Sequence, residues 1–185
     1  MRVIAGVAKG RKLVAPKGRR IRPTADRVKE SLFSIIADRI KGSAVLDLYA
    51  GTGALAIEAL SRGAAAATLV DSDETAVAAI HRNLEETGLA ERAAVVRAPV
   101  TQALDRLTSE ARAFDLLFLD PPYKIEAAGL EIVLAKAAGC LRQRGLIVLE
   151  HRPDLPEVEV SPGLVMVDRR RYGDTGLSFY KKREN

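Results

Sequence analysis

Short apolar runs alternate along the chain with longer stretches in which apolar residues recur at helical spacing. The first helical stretch opens at Thr24-Ala25-Asp26, and Val28, Leu32, Ile35, Ile36 and Ile40 then place one apolar face before Gly42. From there the spacing predicts strands over 44–49, 66–70, 93–97, 114–119 and 145–150, with helices over 54–62, 74–87, 100–107 and 127–138 between them. Two further strands, 164–170 and 176–181, follow. Strands separated by helices imply right-handed crossovers and a doubly wound, mostly parallel, seven-stranded α/β sheet of Rossmann-like type. The strand-rich tail is expected to add an antiparallel edge. Ahead of the first helix, 2–14 reads as a small β-hairpin around Ala8-Lys9-Gly10, followed by a Pro/Gly-rich basic loop through Pro23. Residues 1–23 therefore read as a basic appendage and 24–185 as the core of a single domain, a size that 185 residues suit.

The most informative junction is Val45-Leu46-Asp47-Leu48-Tyr49-Ala50-Gly51-Thr52-Gly53-Ala54, where a buried strand runs into a glycine loop that opens a helix. Gly51 and Gly53 remove side chains that would block close backbone approach, and the loop N–H groups sit at the positive end of the helix. A nucleotide-like ligand is expected there. The glycine spacing alone also fits a dinucleotide, and Asp47 decides between the two. A carboxylate at the strand end is badly placed against a pyrophosphate and well placed against a cationic amino-acid moiety, which S-adenosylmethionine carries. Asp71, after the second predicted strand, stands where an acidic residue takes ribose hydroxyls in such folds, with Ser72 beside it and Asp73 as the better candidate for capping the following helix. Glu58 lies one turn into the helix after the loop and could face the site, but a mid-helix glutamate is more often solvated, and that is the expectation here.

The second motif, Asp120-Pro121-Pro122-Tyr123, directly follows the apolar run Leu116-Leu117-Phe118-Leu119. In an open α/β sheet the ligand crevice lies beyond the carboxyl ends of the strands, so Gly51, Asp71 and Asp120 should converge on one cleft. An exocyclic amine on a base is a poor nucleophile because its lone pair is delocalised into the ring. The Asp120 carboxylate and the Pro121 carbonyl can accept its two N–H groups and favour the tetrahedral nitrogen that attacks a methyl, while the prolines hold that carbonyl rigidly. Tyr123 can stack on the base.

Charge sharpens the picture of the partner. The net charge is +5, and the early chain concentrates cations at Lys9, Arg11, Lys12, Arg19, Arg20 and Arg27, among others. Such one-sided clustering is a candidate phosphate-binding footprint, with a solvated basic tail as the plain alternative. Arg169-Arg170-Arg171 can extend the patch or simply mark an exposed strand end. The lone Cys140 reads as a small core residue, and His81 and His151 are too far apart in sequence to suggest metal-ligand spacing. With no run approaching a membrane span and no signal-peptide pattern at Met1-Arg2-Val3-Ile4, a cytoplasmic location is expected, and a monomer is the default.

The Asp47-x-x-x-Gly51-x-Gly53 loop together with Asp120-Pro121-Pro122-Tyr123 resembles the class I methyltransferases that act on amino groups of bases. Arg22-Pro23-Thr24-Ala25-Asp26-Arg27-Val28-Lys29-Glu30-Ser31-Leu32-Phe33, preceded by Gly6-x-x-Lys9-Gly10-Arg11-Lys12-Leu13 and followed late in the chain by Tyr172-Gly173-Asp174-Thr175-Gly176-Leu177-Ser178-Phe179-Tyr180, narrows the resemblance to the bacterial 16S rRNA guanine-N2 methyltransferases of the RsmD type. That resemblance implies a single methyltransferase domain, S-adenosylmethionine as cofactor, and methylation of one guanine N2 in 16S rRNA of an assembling or assembled small ribosomal subunit. It places Arg22, Pro23 and Thr24 near the methionine end of the cofactor, Asp47, Gly51, Gly53 and Asp71 around the rest, and Asp120 to Tyr123 on the base. One departure stands out: after the third strand, where such enzymes often carry an acid near the adenine, this chain reads Arg97-Ala98-Pro99-Val100.

Three other readings compete. An adenine-N6 methyltransferase on DNA or RNA would use the same amino-group chemistry, although the chain shows no separate target-recognition domain for a short DNA site. A nicotinamide dehydrogenase is disfavoured by Asp47 and by the second motif. A non-catalytic RNA-binding or assembly factor would keep the fold without the chemistry, and both motifs stand against it.

Overall fold

The computed structural model describes residues 1–15, 24–122, 124–156, 158 and 163–183. Helix α1 (Thr24–Ile35) leads into β1 (Ala44–Leu48), α2 (Ala54–Ser61), β2 (Ala66–Asp71), α3 (Glu74–Thr87), β3 (Ala93–Arg97), α4 (Val100–Ser109), β4 (Phe114–Leu119), α5 (Ala127–Cys140) and β5 (Leu141–His151). Strands β6 (Leu164–Tyr172) and β7 (Thr175–Lys182) follow. All seven form one sheet in the order β3-β2-β1-β4-β5-β7-β6. The first five run parallel, while β7 is antiparallel to both β5 and β6. The α/β sheet and its antiparallel edge match the sequence expectation. Among the described residues no helix is long and apolar enough to cross a membrane.

Strand alternation assigns the two faces. Val45, Leu116, Phe118, Leu146 and Val148 join the core beneath α1, α2 and α3, whereas Leu46, Leu48, Leu117, Leu119, Ile147 and Leu149 join the core beneath α4 and α5. Cys140 is fully buried in the second core, as the sequence suggests. The strand expected at 145–150 begins earlier, at Leu141, because β5 bulges: Leu141 pairs with Phe114, but Leu146 is the partner of Leu116. The polar Arg142-Gln143-Arg144 run inside that bulge hides the strand's start from a hydrophobic pattern.

The N-terminal segment is more integrated than an appendage. Arg2 bridges Lys12 in antiparallel fashion, closing the expected hairpin, and Val3, Ala8 and Leu13 are buried in the same core as α2. Glu58 corrects the sequence reading outright: it is fully buried, not solvated. Its carboxylate accepts the N–H groups of Ile4 (2.8 Å) and Ala5 (3.0 Å) and pairs with Arg62 (2.7 Å) and Lys29 (3.3 Å). Further along the segment, Ser61 Oγ accepts from Ala8 N–H at 3.0 Å. Asn83, buried on α3, both accepts from Val14 N–H and donates to its carbonyl, at 2.8 and 2.9 Å. These polar groups satisfy the backbone of a segment too short to form a sheet of its own.

Candidate active site

A cavity of about 550 Å³ opens at the carboxyl ends of β1, β2, β4 and β5, on the face covered by α1 and α2. This is the point where the strand order reverses between β1 and β4, the usual ligand position in such sheets. Its volume is in the range of small-molecule and cofactor pockets, roughly 300–1,000 Å³.

Asp47 follows Val45 in the face alternation, so its side chain points toward α2. Its Oδ2 accepts the N–H of Ala56 at 3.0 Å, near the start of that helix. The residue is 1% exposed yet lines the cavity. Burial pushes its carboxyl up to about 7; the Ala56 N–H opposes the shift, and the nearby charges of Asp120 and Asp71 add to it. A buried acid poised in this way is chemically suited to receive a cation.

Asp71 closes β2 and spans two loops. One carboxylate oxygen accepts Gly51 N–H at 2.8 Å and the other accepts Asp73 N–H at 2.9 Å. Asp73, as expected, caps α3 by accepting Thr75 N–H at 2.8 Å. Gly51 and Gly53 both have positive φ, 59° and 75°, and a Cβ on Gly53 would lie 2.9 Å from Leu69. Tyr49, immediately ahead of the loop, also has a positive φ of 63°, a strained setting for an aromatic residue. It lines the cavity half-buried, with its phenol shifted upward by that burial. The loop is held from behind by Asn83, which donates to the Thr52 carbonyl at 2.9 Å.

At the end of β4, Asp120 is exposed at the cavity mouth and its N–H lies 3.5 Å from the Leu48 carbonyl. Pro121 is buried and Pro122 exposed, and both line the cavity. The Pro122 carbonyl accepts Ile125 N–H at 2.9 Å, which closes the turn after the motif. The structure thus brings Asp47, Gly51, Asp71, Ser72, Asp120, Pro121 and Pro122 to one cavity. Arg22, Pro23 and Tyr123 lie outside the described residues, as do Arg19 and Arg20; Thr24 is placed as the first residue of α1.

Sequence reasoning missed several cavity residues. Lys29 is one: nearly buried, it donates to the Arg2 carbonyl at 2.6 Å and pairs with Glu58. Burial lowers its ammonium from the usual lysine range, against the pull of Glu58 and Asp26. Tyr49 and Glu150 are two more. The signal for Tyr49 was its place just before the glycine loop; Glu150 was simply the last residue of a predicted strand.

The departure after β3 has a structural counterpart. Arg97 pairs with Glu74 at 3.0 Å, Ala98 N–H bonds the Asp71 carbonyl at 3.2 Å, and the described cavity wall includes Ser72 and Asp73 but not residues 97–99. Lys9, Arg11, Lys12 and Arg27 are exposed. The segment carrying the first three meets the cavity at both its ends, through Met1 and Ala15. Arg170 is engaged by Asp168 at 2.8 Å and Arg171 by the Gly173 carbonyl at 3.1 Å. His151 is buried between the Arg152 carbonyl (2.6 Å) and Ser178 Oγ (2.8 Å), a structural role, and burial lowers its pKa. Among the described residues no cluster of His, Cys, Asp and Glu could hold a metal ion.

A reversed seventh strand slotted between β5 and β6, with both motifs at the switch point, gives the sheet the class I methyltransferase architecture. The solved structure of yhhF from Escherichia coli matches with a TM-score of 0.83 at 32% identity, covering 100% of this chain and 99% of that one. The chain belongs to the family described as Conserved hypothetical protein 95, whose model matches residues 1–181. It is 33% identical over 186 residues to the Haemophilus influenzae protein named Ribosomal RNA small subunit methyltransferase D, covering 100% of this chain and 94% of the relative. Bacillus subtilis (strain 168) YlbH is 41% identical over 183 residues, with 99% and 100% covered. The resemblance carried by the glycine loop, the Asp-Pro-Pro-Tyr motif and the Arg22–Phe33 stretch is borne out.

Proposed function

We propose that this chain transfers a methyl group from S-adenosylmethionine to the exocyclic N2 of one guanine in 16S rRNA, presented by the small ribosomal subunit or its assembly intermediate. The observation that carries the reading is that Asp47 and Asp120 open on one cavity from the same face of the sheet, close enough that the charge of one raises the pKa of the other. One acid suits a cationic cofactor, and the other suits an amine. A relative matched over nearly its whole length and named as a small-subunit rRNA methyltransferase supports the RNA substrate.

The residues present fit this cofactor. Asp47, buried and carrying a raised pKa, gains a counter-cation in the ammonium of the methionine moiety; the loop at Gly51 lets the backbone approach, while Gly53, whose absent Cβ would meet Leu69, Ile57 and Ile80, lets the loop pack closely on the core; Asp71, with Ser72, faces ribose hydroxyls. Arg22, Pro23 and Thr24 are assigned to the methionine end. S-adenosylmethionine supplies a methyl on a sulfonium centre, which departs as a neutral thioether with the C–S electron pair. The chain's own contribution is to hold the acceptor. Asp120 and the Pro121 carbonyl accept the two N2 hydrogens, keep the nitrogen tetrahedral and stabilise its developing positive charge. The proton then passes to the Asp120 carboxylate and on to solvent. Tyr123 stacks on the base and sets its plane. Lys9, Arg11 and Lys12, exposed on the N-terminal segment, and Arg27 on α1 bind RNA phosphates, and Arg19 and Arg20 are assigned to the same role. The enzyme acts as a cytoplasmic monomer.

Asp120→Ala separates binding from transfer. Transfer to unmethylated small subunits is expected to fall by about 10²-fold or more, with S-adenosylmethionine affinity within about twofold of the parent. Full activity in that variant would refute the assignment.

A further inference from the structure

We infer that Glu150 is a base-specificity residue of this site: its carboxylate accepts the N1–H of the target guanine while Asp120 and the Pro121 carbonyl hold the N2 amine. The inference rests on the function proposed above.

Strand register carries the argument. Leu119 of β4 is the parallel partner of Leu149 of β5, so Asp120 and Glu150 occupy the next register position on neighbouring strands. Leu117, Leu119, Ile147 and Leu149 turn into the core under α4 and α5, whereas Leu116, Phe118, Leu146 and Val148 turn the other way. Continuing the alternation puts Asp120 and Glu150 on the face that Asp47 also uses. Adjacent strands lie about 4.8 Å apart. Both acids line the main cavity, and Glu150 also borders, with Pro121 and Pro122, a smaller recess of about 30 Å³ beside it. Glu150 is anchored on its other side as well, by antiparallel pairing with Leu177 of β7. The two carboxylates therefore stand side by side on a rigid sheet end, flanking the Pro-Pro turn.

The array of acceptors reads a base edge. Guanine presents the two N2 hydrogens and, next to them, N1–H, a run of three donors. Adenine presents two N6 hydrogens beside an unprotonated N1, whose lone pair a carboxylate repels. A site with Asp120 alone would serve either amine. Adding an acid at the next strand end favours guanine, because a site built to bond a donor rejects an analogue that lacks it. A base extruded into the cavity exposes this edge to both strands.

The test uses the intact enzyme and the analogue 2,6-diaminopurine, which keeps the N2 amine but has no proton on N1. Once the methylated guanine is mapped on the wild-type product, small-subunit particles are built with guanine or 2,6-diaminopurine at that position, and kcat/KM is compared. Wild type is expected to prefer guanine by about 10²-fold or more. In Glu150→Gln the amide can accept N1–H or donate to a bare N1, so the preference is expected to collapse to within about threefold. Glu150→Asp, which keeps the charge, is expected to lose rate but retain the preference. S-adenosylmethionine affinity should be unchanged in both. Full discrimination in Glu150→Gln, or a loss of cofactor affinity that accounts for the loss of rate, overturns the assignment. A wild-type product of N6-methyladenosine would instead overturn the proposed function, and this assignment with it.

Discussion

Asp71 holds the N–H of Gly51 at 2.8 Å, so the residue that closes β2 fixes the glycine loop that follows β1. Its second oxygen is committed to Asp73 N–H at 2.9 Å. An amide cannot substitute, because its NH2 would face one of these two donors. Asp71→Asn is therefore expected to weaken S-adenosylmethionine binding by more than about tenfold, which a clash and a lost hydrogen bond together support. Isothermal titration checks this, and unchanged affinity would show that the loop holds its shape without Asp71.

Glu58 ties α1, α2 and the N-terminal segment together, and its removal leaves the buried Lys29 without its counter-charge and the part-buried N–H groups of Ile4 and Ala5 without their acceptor. Breaking such a pair from one side costs about 3–5 kcal/mol. Glu58→Gln should sit toward the lower end, since its amide oxygen can still accept one N–H. Urea denaturation measures the loss. Limited proteolysis should in parallel show the segment before Val14 cut faster than in the parent.

Gly6 and Gly10 offer a matched pair. Their φ angles are nearly equal, +85° and +84°, but a Cβ on Gly6 would come within 1.9 Å of the Ser61 carbonyl oxygen while one on Gly10 meets nothing within 4 Å. Gly10→Ala is expected to cost about 1 kcal/mol from backbone strain alone. Gly6→Ala should cost at least about 2 kcal/mol more, because the segment must lift off α2. Equal thermal shifts for the two variants would contradict the close approach.

Asp47 makes both stability and cofactor binding depend on pH. Its folded value, about 7, is raised above the usual carboxylate range, so the folded state binds this proton more tightly than the unfolded one. That contribution is present below the unfolded carboxyl range and is lost as pH rises toward 7, at about 1.4 kcal/mol per unit. Asp47→Asn, which can still accept Ala56 N–H, should thus be more stable than wild type at pH 8 and lose that advantage near pH 4. Cofactor binding runs the other way, since an ammonium needs the carboxylate ionised. Wild-type affinity is expected to fall about fivefold from pH 7 to pH 6, while Asp47→Asn binds weakly and with little dependence on pH.

The fold was legible because its signals are local: buried apolar strands, helical faces such as Ala76, Ala79, Ile80 and Leu84, and the glycine loop. The two acids proposed to hold the cofactor were legible for a related reason, since Asp47 and Asp71 sit where a strand stops and the chain must turn. What escaped was set by partners distant in sequence. Glu58 looked like a surface residue until the N–H groups of Ile4 and Ala5 closed on it. Asn83 sat on an apolar helix face with no hint of Val14 or Thr52. Glu150 gained its place from the pairing of β4 with β5, which periodicity within one strand does not contain.

The most direct test of the central claim is transfer of labelled methyl from S-adenosylmethionine to unmethylated small ribosomal subunits, with naked 16S rRNA, large subunits and DNA in parallel, followed by nucleoside mass analysis. N2-methylguanosine at a single position of 16S rRNA, abolished in Asp120→Ala, is the expected result. Absence of labelled product on every substrate, or N6-methyladenosine as the product, would contradict it.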